Sequence, residues 1–293
     1  MTKNILVTGA KGQLGKEFVM LSAGKVFKSF VFYFTDKNDL DISNKSDIEI
    51  FCEKNEIHVI INCAAYTAVD NAEKDMESAN AINHLAVKYL SEVAKIQDIQ
   101  LLHVSTDYVF DGVNHKPYIE TDQVNPQGIY GKTKLDGENA MIAINPPNSI
   151  IIRTSWVYSS FGFNFVKTML RLGREKDELN VIFDQVGTPT YARDLAKTIL
   201  MMIESPIDFD QDLVAVYHYS NEGVCSWYDF SKAIFELANI DCSVHPITTE
   251  QYPTPANRPH YSILNKSKIK TKYNFQIPYW KDSLKECLKI LNK

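Results

Sequence analysis

A tyrosine and a lysine four residues apart, in Tyr130-Gly131-Lys132-Thr133-Lys134, have the types and the spacing to move a proton. On a helix that spacing puts both side chains on one face, a turn apart. A free phenol holds its proton at neutral pH. An ammonium beside it favours the phenolate and brings the group toward useful acid–base chemistry. The pair alone is a weak signal, because surface helices carry it by chance. The elements around it decide its meaning.

The first element is an apolar run, Asn4-Ile5-Leu6-Val7-Thr8, which reads as a buried parallel strand. Gly9, Gly12 and Gly15 follow as G-x-x-G-x-x-G, and a helical pattern comes after them. Strand, glycines and helix in that order predict a dinucleotide turn, with phosphates on the helix N-terminus. A second strand, Phe30 to Thr35, ends at Asp36, where an acid usually meets the adenosine ribose hydroxyls. Lys37 beside it suits a 2′-phosphate instead, so the residues leave NADH and NADPH both open. Asp41-Ile42 reads either as lining for the adenine or as a plain helix-entry turn before a helix over 46–54.

A third strand, His58 to Asn62, ends in the small residues Cys63-Ala64-Ala65 and then Tyr66, where a flat cofactor can lie against backbone. A long helix over 77–96 carries Asn83, either a buried hydrogen-bonding post or a solvated side chain. The fourth strand, Gln100 to Val104, ends in Ser105-Thr106-Asp107, hydroxyls and an acid at the edge where open α/β sheets bind ligands. The helix bearing Tyr130 and Lys134 enters after Asn125-Pro126, so Thr106 is placed to hydrogen-bond a carbonyl that Tyr130 protonates. A fifth strand, Ser149 to Thr154, leads to Ser155-Trp156, an indole placed either to stack on a flat or sugar ring or to pack at the rim.

Five β-α repeats predict an α/β fold, a Rossmann-type doubly wound parallel sheet. After about 158 the rhythm changes. A helix over 164–173, a short strand Val181–Phe183, helix 191–204 and a strand Val214–Tyr219 come next. Helix 226–239, a proline-bearing mixed segment and helix 281–291 complete the chain. The division expected is 1–158, with a returning segment about 186–220, as the dinucleotide-binding domain. Residues 159–185 and 221–293 then form a smaller mixed α/β lobe that roofs the cleft and binds substrate.

The chain has 293 residues, 45% hydrophobic and 23% charged, with a net charge of -5. That is an ordinary globular composition, and its mild acidity argues against a nucleic-acid partner. No apolar run reaches membrane-spanning length, and the first residues enter a strand pattern, so neither a membrane anchor nor a signal peptide is expected. The 5 cysteines are scattered without metal spacing, as are the 7 histidines. Reduced thiols of a cytoplasmic protein are the expectation.

Together these motifs resemble the extended short-chain dehydrogenase/reductases. Three longer stretches narrow the resemblance, Cys63 to Asp70, Ser105 to Gly112 and Arg153 to Tyr158. With Asn164 to Leu170, Asp184 to Thr190 and Tyr252 to Pro259, they are similar to the dTDP-4-dehydrorhamnose reductase family across essentially the whole chain. The resemblance implies reduction of the 4-keto group of dTDP-4-dehydro-L-rhamnose with NADPH or NADH, giving dTDP-L-rhamnose for polysaccharide. It implies Tyr130 as proton donor, Lys134 holding the nicotinamide ribose and lowering the tyrosine pKa, and Thr106 orienting the ketone. Thr106, Asp107, Trp156, Asn164 and Arg258 would touch the nucleotide sugar. Gly9, Gly12, Gln13, Leu14, Gly15, Asp36, Asp41, Ile42, Ala64, Ala65, Tyr66 and Val104, with Tyr130 and Lys134, would hold the cofactor.

Two departures are visible. Tyr66 stands where many relatives have histidine. Some relatives dimerise around magnesium held by carboxylates, whereas Pro189-Thr190-Tyr191-Ala192-Arg193 puts a cation where one acid is expected. That argues against a magnesium bridge and for a monomer or weak homodimer. The competing implications are a reductase or epimerase of another nucleotide sugar, or a non-catalytic subunit resembling the regulatory subunit of methionine adenosyltransferase.

Overall fold

The apolar runs pair with one another and leave the polar residues that follow them at one edge. The computed structural model describes residues 2–24, 27, 29–205 and 214–291. Its large sheet comprises β1 (Lys3–Thr8), β2 (Phe30–Phe34), β3 (Val59–Asn62), β4 (Gln100–Thr106), β5 (Ile150–Thr154) and β6 (Ala215–His218). The order is β6-β5-β4-β3-β1-β2, and every pairing is parallel. Parallel strands are covered on both faces, which is why these runs are continuously apolar rather than alternating. Ile5, Leu6, Ile60, Ile61, Leu102 and Ile151 are fully buried.

The longer helices are α1 (Gln13–Ser22), α2 (Lys45–Lys54), α3 (Ala86–Ile96) and α4 (Ile129–Ile144), then α5 (Phe165–Glu175), α6 (Ala192–Glu204), α7 (Trp227–Ala238) and α8 (Trp280–Leu291). α1 and α6 cover one face of the sheet with Leu14, Phe18, Leu195 and Ile199. α2, α3 and α4 cover the other with Ile48, Val87, Leu90 and Met141. The order reverses beside β1, so β1 and β3 diverge to opposite faces and open a crevice at their carboxyl ends.

The helix expected over 77–96 is broken into Met76–Asn80, a π-turn Ala81–Leu85, and α3. A π-turn inserts one extra residue and re-aims its side chains, a change that a 3.6-residue period does not display. α4 crosses this turn at Gly137, where a Cβ would sit 2.2 Å from the Asn83 carbonyl oxygen. A side chain there would push the helix that carries Tyr130 and Lys134 off its seat.

A second core gathers Tyr158, Val166, Leu170, Phe230, Ile234, Trp280 and Leu284 among α5, α7 and α8. The short strand expected over Val181–Phe183 is Glu178–Ile182, and it pairs in parallel with Ser243–Ile247 inside the proline-bearing segment. Pro246 is tolerated because that strand belongs to a two-stranded pair with a free edge. α6 and β6 belong to the large sheet and its cover, while α5, α7 and α8 surround the second core. Residues 1, 25, 26, 28, 206–213 and 292–293 of the expected domain division lie outside the described residues. Among the described residues, no helix is long and apolar enough to cross a membrane.

Candidate active site

Gly9 ends β1 at φ +66, and a Cβ there would lie 2.8 Å from the Ala64 backbone. The turn therefore presses directly on the segment after β3. Gly12 is the extended residue before α1, and no side chain caps that helix. Its first N–H groups and positive dipole end are left free, which suits phosphate oxygens. Leu14 and Gly15 are buried beneath the turn. The Gln13 side chain faces away from it, its Oε1 accepting a bond of 2.9 Å from Asn164 Nδ2.

At the end of β2, Asp36 is paired with Lys11 from the glycine turn. It also accepts from the Asn38 N–H at 2.7 Å. The Lys11 contact holds its carboxyl below the usual range. Asp41 accepts from the N–H of Ser43 at 2.9 Å and from its hydroxyl at 2.6 Å, and Ile42 packs into the core. Asp41, exposed at this point, thus forms the helix-entry turn ahead of α2.

Asn62 closes β3, and its Oδ1 takes bonds from the Thr8 hydroxyl at 2.6 Å and the Ala64 N–H at 3.2 Å. Ala64, Ala65 and Tyr66 lie partly exposed along the same edge. Asn83 is the buried post. It accepts from the Tyr66 N–H at 2.9 Å and donates to the Tyr66 carbonyl at 3.1 Å and the Thr133 hydroxyl at 3.2 Å. One amide thereby ties the small-residue segment to α4, at a site where three unmade bonds would each cost about 1–3 kcal/mol.

The sequence-predicted chemical groups converge at the ends of β4 and α4. Tyr130 lies next to the Thr106 side chain, and its ring meets Tyr108 edge-on with centroids 5.4 Å apart. Thr106 in turn donates to Asp107 Oδ1 at 3.0 Å. Burial pushes the Asp107 carboxyl up to about 7, against the bond from Thr106. Lys134 is 1% exposed. Its Nζ donates to the Val104 carbonyl at 2.7 Å and meets His103 Nε2 at 3.1 Å. Burial draws Lys134 down to about 8, opposed by Glu138 and Cys63.

The expected effect of Lys134 on the phenol is corrected by this geometry. Burial pushes the Tyr130 hydroxyl up to about 12, with Thr106 lowering it and Asp107 raising it. The ammonium is turned to Val104 and His103 instead.

Three more expectations change. Trp156 is partly exposed, but one face stacks on Trp227 with centroids 3.5 Å apart and planes 8° from parallel, so rim packing occupies that face. Asn164 caps α5 through the Lys167 N–H at 3.1 Å and donates to Gln13, Ser159 and Phe161. It is a clamp between the glycine turn and the second lobe, with its amide committed. Arg258 forms a two-pronged pair with Asp70, at 3.1 and 2.7 Å, and Asp70 also accepts from the Ala256 N–H at 3.2 Å. Arg258 lines a cleft of about 440 Å³ together with Tyr108, Gln127, Gly128 and Tyr252.

Asp70, Tyr108, Trp227, His103 and Glu138 were not singled out from sequence. Asp70 lies inside the motif that carries Ala64 and Tyr66, and Tyr108 follows Asp107, so adjacency was their available signal. Glu138 is one turn beyond Lys134 and completely buried. It receives the Ser105 hydroxyl and a forked Arg153 guanidinium, with Nη2 at 2.7 Å. Removing one partner from such a pair costs about 3–5 kcal/mol. This pair therefore fixes the end of β5 against α4, and the Ser105 hydroxyl brings the end of β4 to the same carboxylate.

Arg193 Nε donates to the buried Glu17 at 2.9 Å, so the corner where relatives' carboxylates are expected already holds its cation. Among the described residues no cluster of three or more metal-ligating side chains occurs. That donor set does not suit magnesium.

A family model, the RmlD substrate binding domain, matches residues 2–293. A dTDP-4-dehydrorhamnose reductase of Aggregatibacter actinomycetemcomitans is 41% identical over 288 residues, 96% of this chain and 97% of that protein. Among solved structures, a dTDP-4-dehydrorhamnose reductase from Clostridium acetobutylicum superposes with TM-score 0.91 at 44% identity, covering 99% of this chain and 100% of the other. One from Bacillus anthracis, solved in complex with NADP, gives TM-score 0.92 at 37% identity with the same coverage.

Proposed function

Since this chain belongs to the family of the RmlD substrate binding domain, we infer that it is an NAD(P)H-dependent oxidoreductase of dTDP-rhamnose biosynthesis. It reduces the 4-keto group of dTDP-4-dehydro-L-rhamnose to give dTDP-L-rhamnose. The observation that carries this reading is the juxtaposition of Thr106 and Tyr130 with a buried Lys134, at the sheet edge that also holds the glycine turn.

The residues present fit a dinucleotide. The Gly9–Ala64 contact leaves bare backbone at the turn, and the uncapped α1 offers donors for a pyrophosphate. Lys11 offsets the Asp36 charge beside the glycine turn, which would admit the extra phosphate of NADPH. When bound, the cofactor supplies the hydride that goes to the ketone carbon.

The remaining work falls to side chains of this chain. Tyr130 gives its proton to the ketone oxygen as negative charge grows there. A phenol held near 12 keeps that proton throughout the neutral range. Thr106 orients the ketone and holds the phenol in line. Lys134 holds the ribose, and Asp107 and the outer part of Trp156 meet the sugar. Arg258, kept extended by Asp70, faces the cleft where the nucleotide diphosphate fits.

Residues 1–158 with about 186–220 act as the dinucleotide-binding domain, and 159–185 with 221–293 as the substrate lobe, a reading supported by the separate second core. The Glu17–Arg193 pair supports a monomer or weak homodimer without a metal bridge, and the free cysteines fit a reducing cytoplasm. The test supplies dTDP-4-dehydro-L-rhamnose with NADPH and with NADH and follows loss of the reduced cofactor's absorbance. Turnover is expected with both and faster with NADPH. Tyr130→Phe should lower kcat roughly 10²–10⁴-fold with cofactor affinity kept. Full activity in that variant would reject the proton-donor role.

A further inference from the structure

Two buried oxygens at the sugar end of the site are left over by the fold. Asp107 is 3% exposed and Ser262 2%. Thr106 occupies Asp107 Oδ1 with a hydrogen bond of 3.0 Å. Ser262 stands close enough to the same carboxyl to act on it. Among the described residues, however, neither Asp107 Oδ2 nor Ser262 Oγ finds a hydrogen-bond partner. Buried polar atoms are nearly always paired, so two such atoms side by side call for a group that joins them.

Ser262 is carried there by a fixed backbone. Its N–H donates to the Val186 carbonyl at 2.9 Å, the Tyr261 N–H donates to the Gly112 carbonyl at 3.0 Å, and the Ile263 carbonyl accepts from the Tyr118 N–H at 2.9 Å. Gly187 completes the placement. A Cβ on it would lie 2.6 Å from Ser262 Oγ and 2.7 Å from Trp156 Cε2. A residue without a side chain thus lets the hydroxyl and the indole close on one spot. None of these contacts needs the hydroxyl itself. Alanine would serve the fold as well and would leave no polar atom unpaired. The hydroxyl is therefore left for a ligand.

The reacting ketone indicates which part of the ligand. Thr106 orients the ketone and is hydrogen-bonded to Asp107 Oδ1. The second oxygen of that carboxyl then meets a group on the next carbon of the sugar ring. In the 4-keto substrate one neighbouring carbon carries a methyl group and the ring oxygen, which can only accept. The other carries a hydroxyl. A hydroxyl satisfies two oxygens at once, donating to one and accepting from the other, whichever of them supplies a proton.

We propose that Ser262 is a specificity-determining residue, which together with Asp107 Oδ2 clasps the hydroxyl on the carbon next to the ketone. The inference deepens the reductase reading and rests on it for the identity of the sugar. Such a site selects against a 4-keto sugar that has hydrogen in place of that hydroxyl, because both oxygens would stay unpaired in its complex. The clasp also stops the ring from turning about the ketone, so it aligns the substrate as well as binding it.

The test sets the wild type and Ser262→Ala, as full chains with NADPH, against two compounds. One is dTDP-4-dehydro-L-rhamnose, and the other is the same nucleotide sugar lacking the hydroxyl next to the ketone. Loss of the reduced cofactor's absorbance gives kcat/KM for each combination. The wild type should prefer the hydroxylated sugar about a hundredfold or more. Ser262→Ala should lower kcat/KM for that sugar about tenfold and keep the deoxy compound within about twofold. The variant should melt no lower than the wild type, since it loses an unpaired hydroxyl.

Equal losses with both compounds would make Ser262 a prop for Asp107 and overturn the proposal. So would an unchanged kcat/KM for the hydroxylated sugar, or a lower melting temperature, which would show the hydroxyl bonded within the fold. Failure of the wild type to turn over either compound is a different result, and it would sink the reductase reading together with this inference.

Discussion

Replacing Asp107 by asparagine should stabilise the folded chain, and increasingly so as pH rises. The carboxyl is 3% exposed, and burial moves it from its ordinary 3.8 to about 7. In the folded state it therefore keeps a proton that the unfolded chain has already released. Its folded value is raised, so the wild type's stability is intact below about pH 4 and falls through the window from about 4 to about 7. At about 1.4 kcal/mol per pH unit, the full loss is roughly 4 kcal/mol above about pH 7. Asparagine has nearly the same shape, can still accept from the Thr106 hydroxyl, and never ionises. Urea unfolding of both proteins at about pH 4 and about pH 8 measures the difference. The variant should match the wild type at the lower pH and exceed it by a few kcal/mol at the higher. An advantage independent of pH would show that Asp107 is not held in a charge-hostile place, and the electrostatic reading of the site would fail with it.

Gly9→Ala combines a left-handed backbone with a Cβ that would lie 2.8 Å from Ala64. It should lose cofactor affinity at least tenfold and roughly 1–2 kcal/mol of stability, read by fluorescence titration and thermal melting. Asp70→Asn removes the charge that straightens Arg258. Its KM for the nucleotide sugar should rise several-fold while kcat and cofactor affinity stay within about twofold, the pattern of lost uniform binding; an unchanged KM would separate Arg258 from the substrate.

The large sheet was legible because its strands are buried on both faces, and the chain writes that as uninterrupted Ile, Val and Leu. Tyr130, Lys134 and Thr106 were legible because local spacing and strand ends put them at one edge. What stayed hidden was long-range or internal. Asp70 and Arg258 are 188 residues apart, and nothing in either segment specifies the other. His103 sits mid-strand between apolar residues, where only its contacts with Asn62 and Lys134 give it meaning. Trp156 read equally as a sugar platform or rim packing until Trp227 was found on its face. The direction of the Lys134 ammonium could not be inferred from helical periodicity at all, since Val104 and His103 compete for it from another element.

Trp156 combines two opposing demands. Its φ is +49, a left-handed conformation that costs a bulky residue about 1–2 kcal/mol, and its ring is held against Trp227. Truncation to alanine discards the ring and retains the strain. Glycine discards both. The glycine variant should therefore melt above the alanine variant by an amount worth about 1 kcal/mol, the reverse of the order found where backbone is relaxed. Tolerance of glycine at this position would then measure released backbone tension and conceal how much the indole contributes.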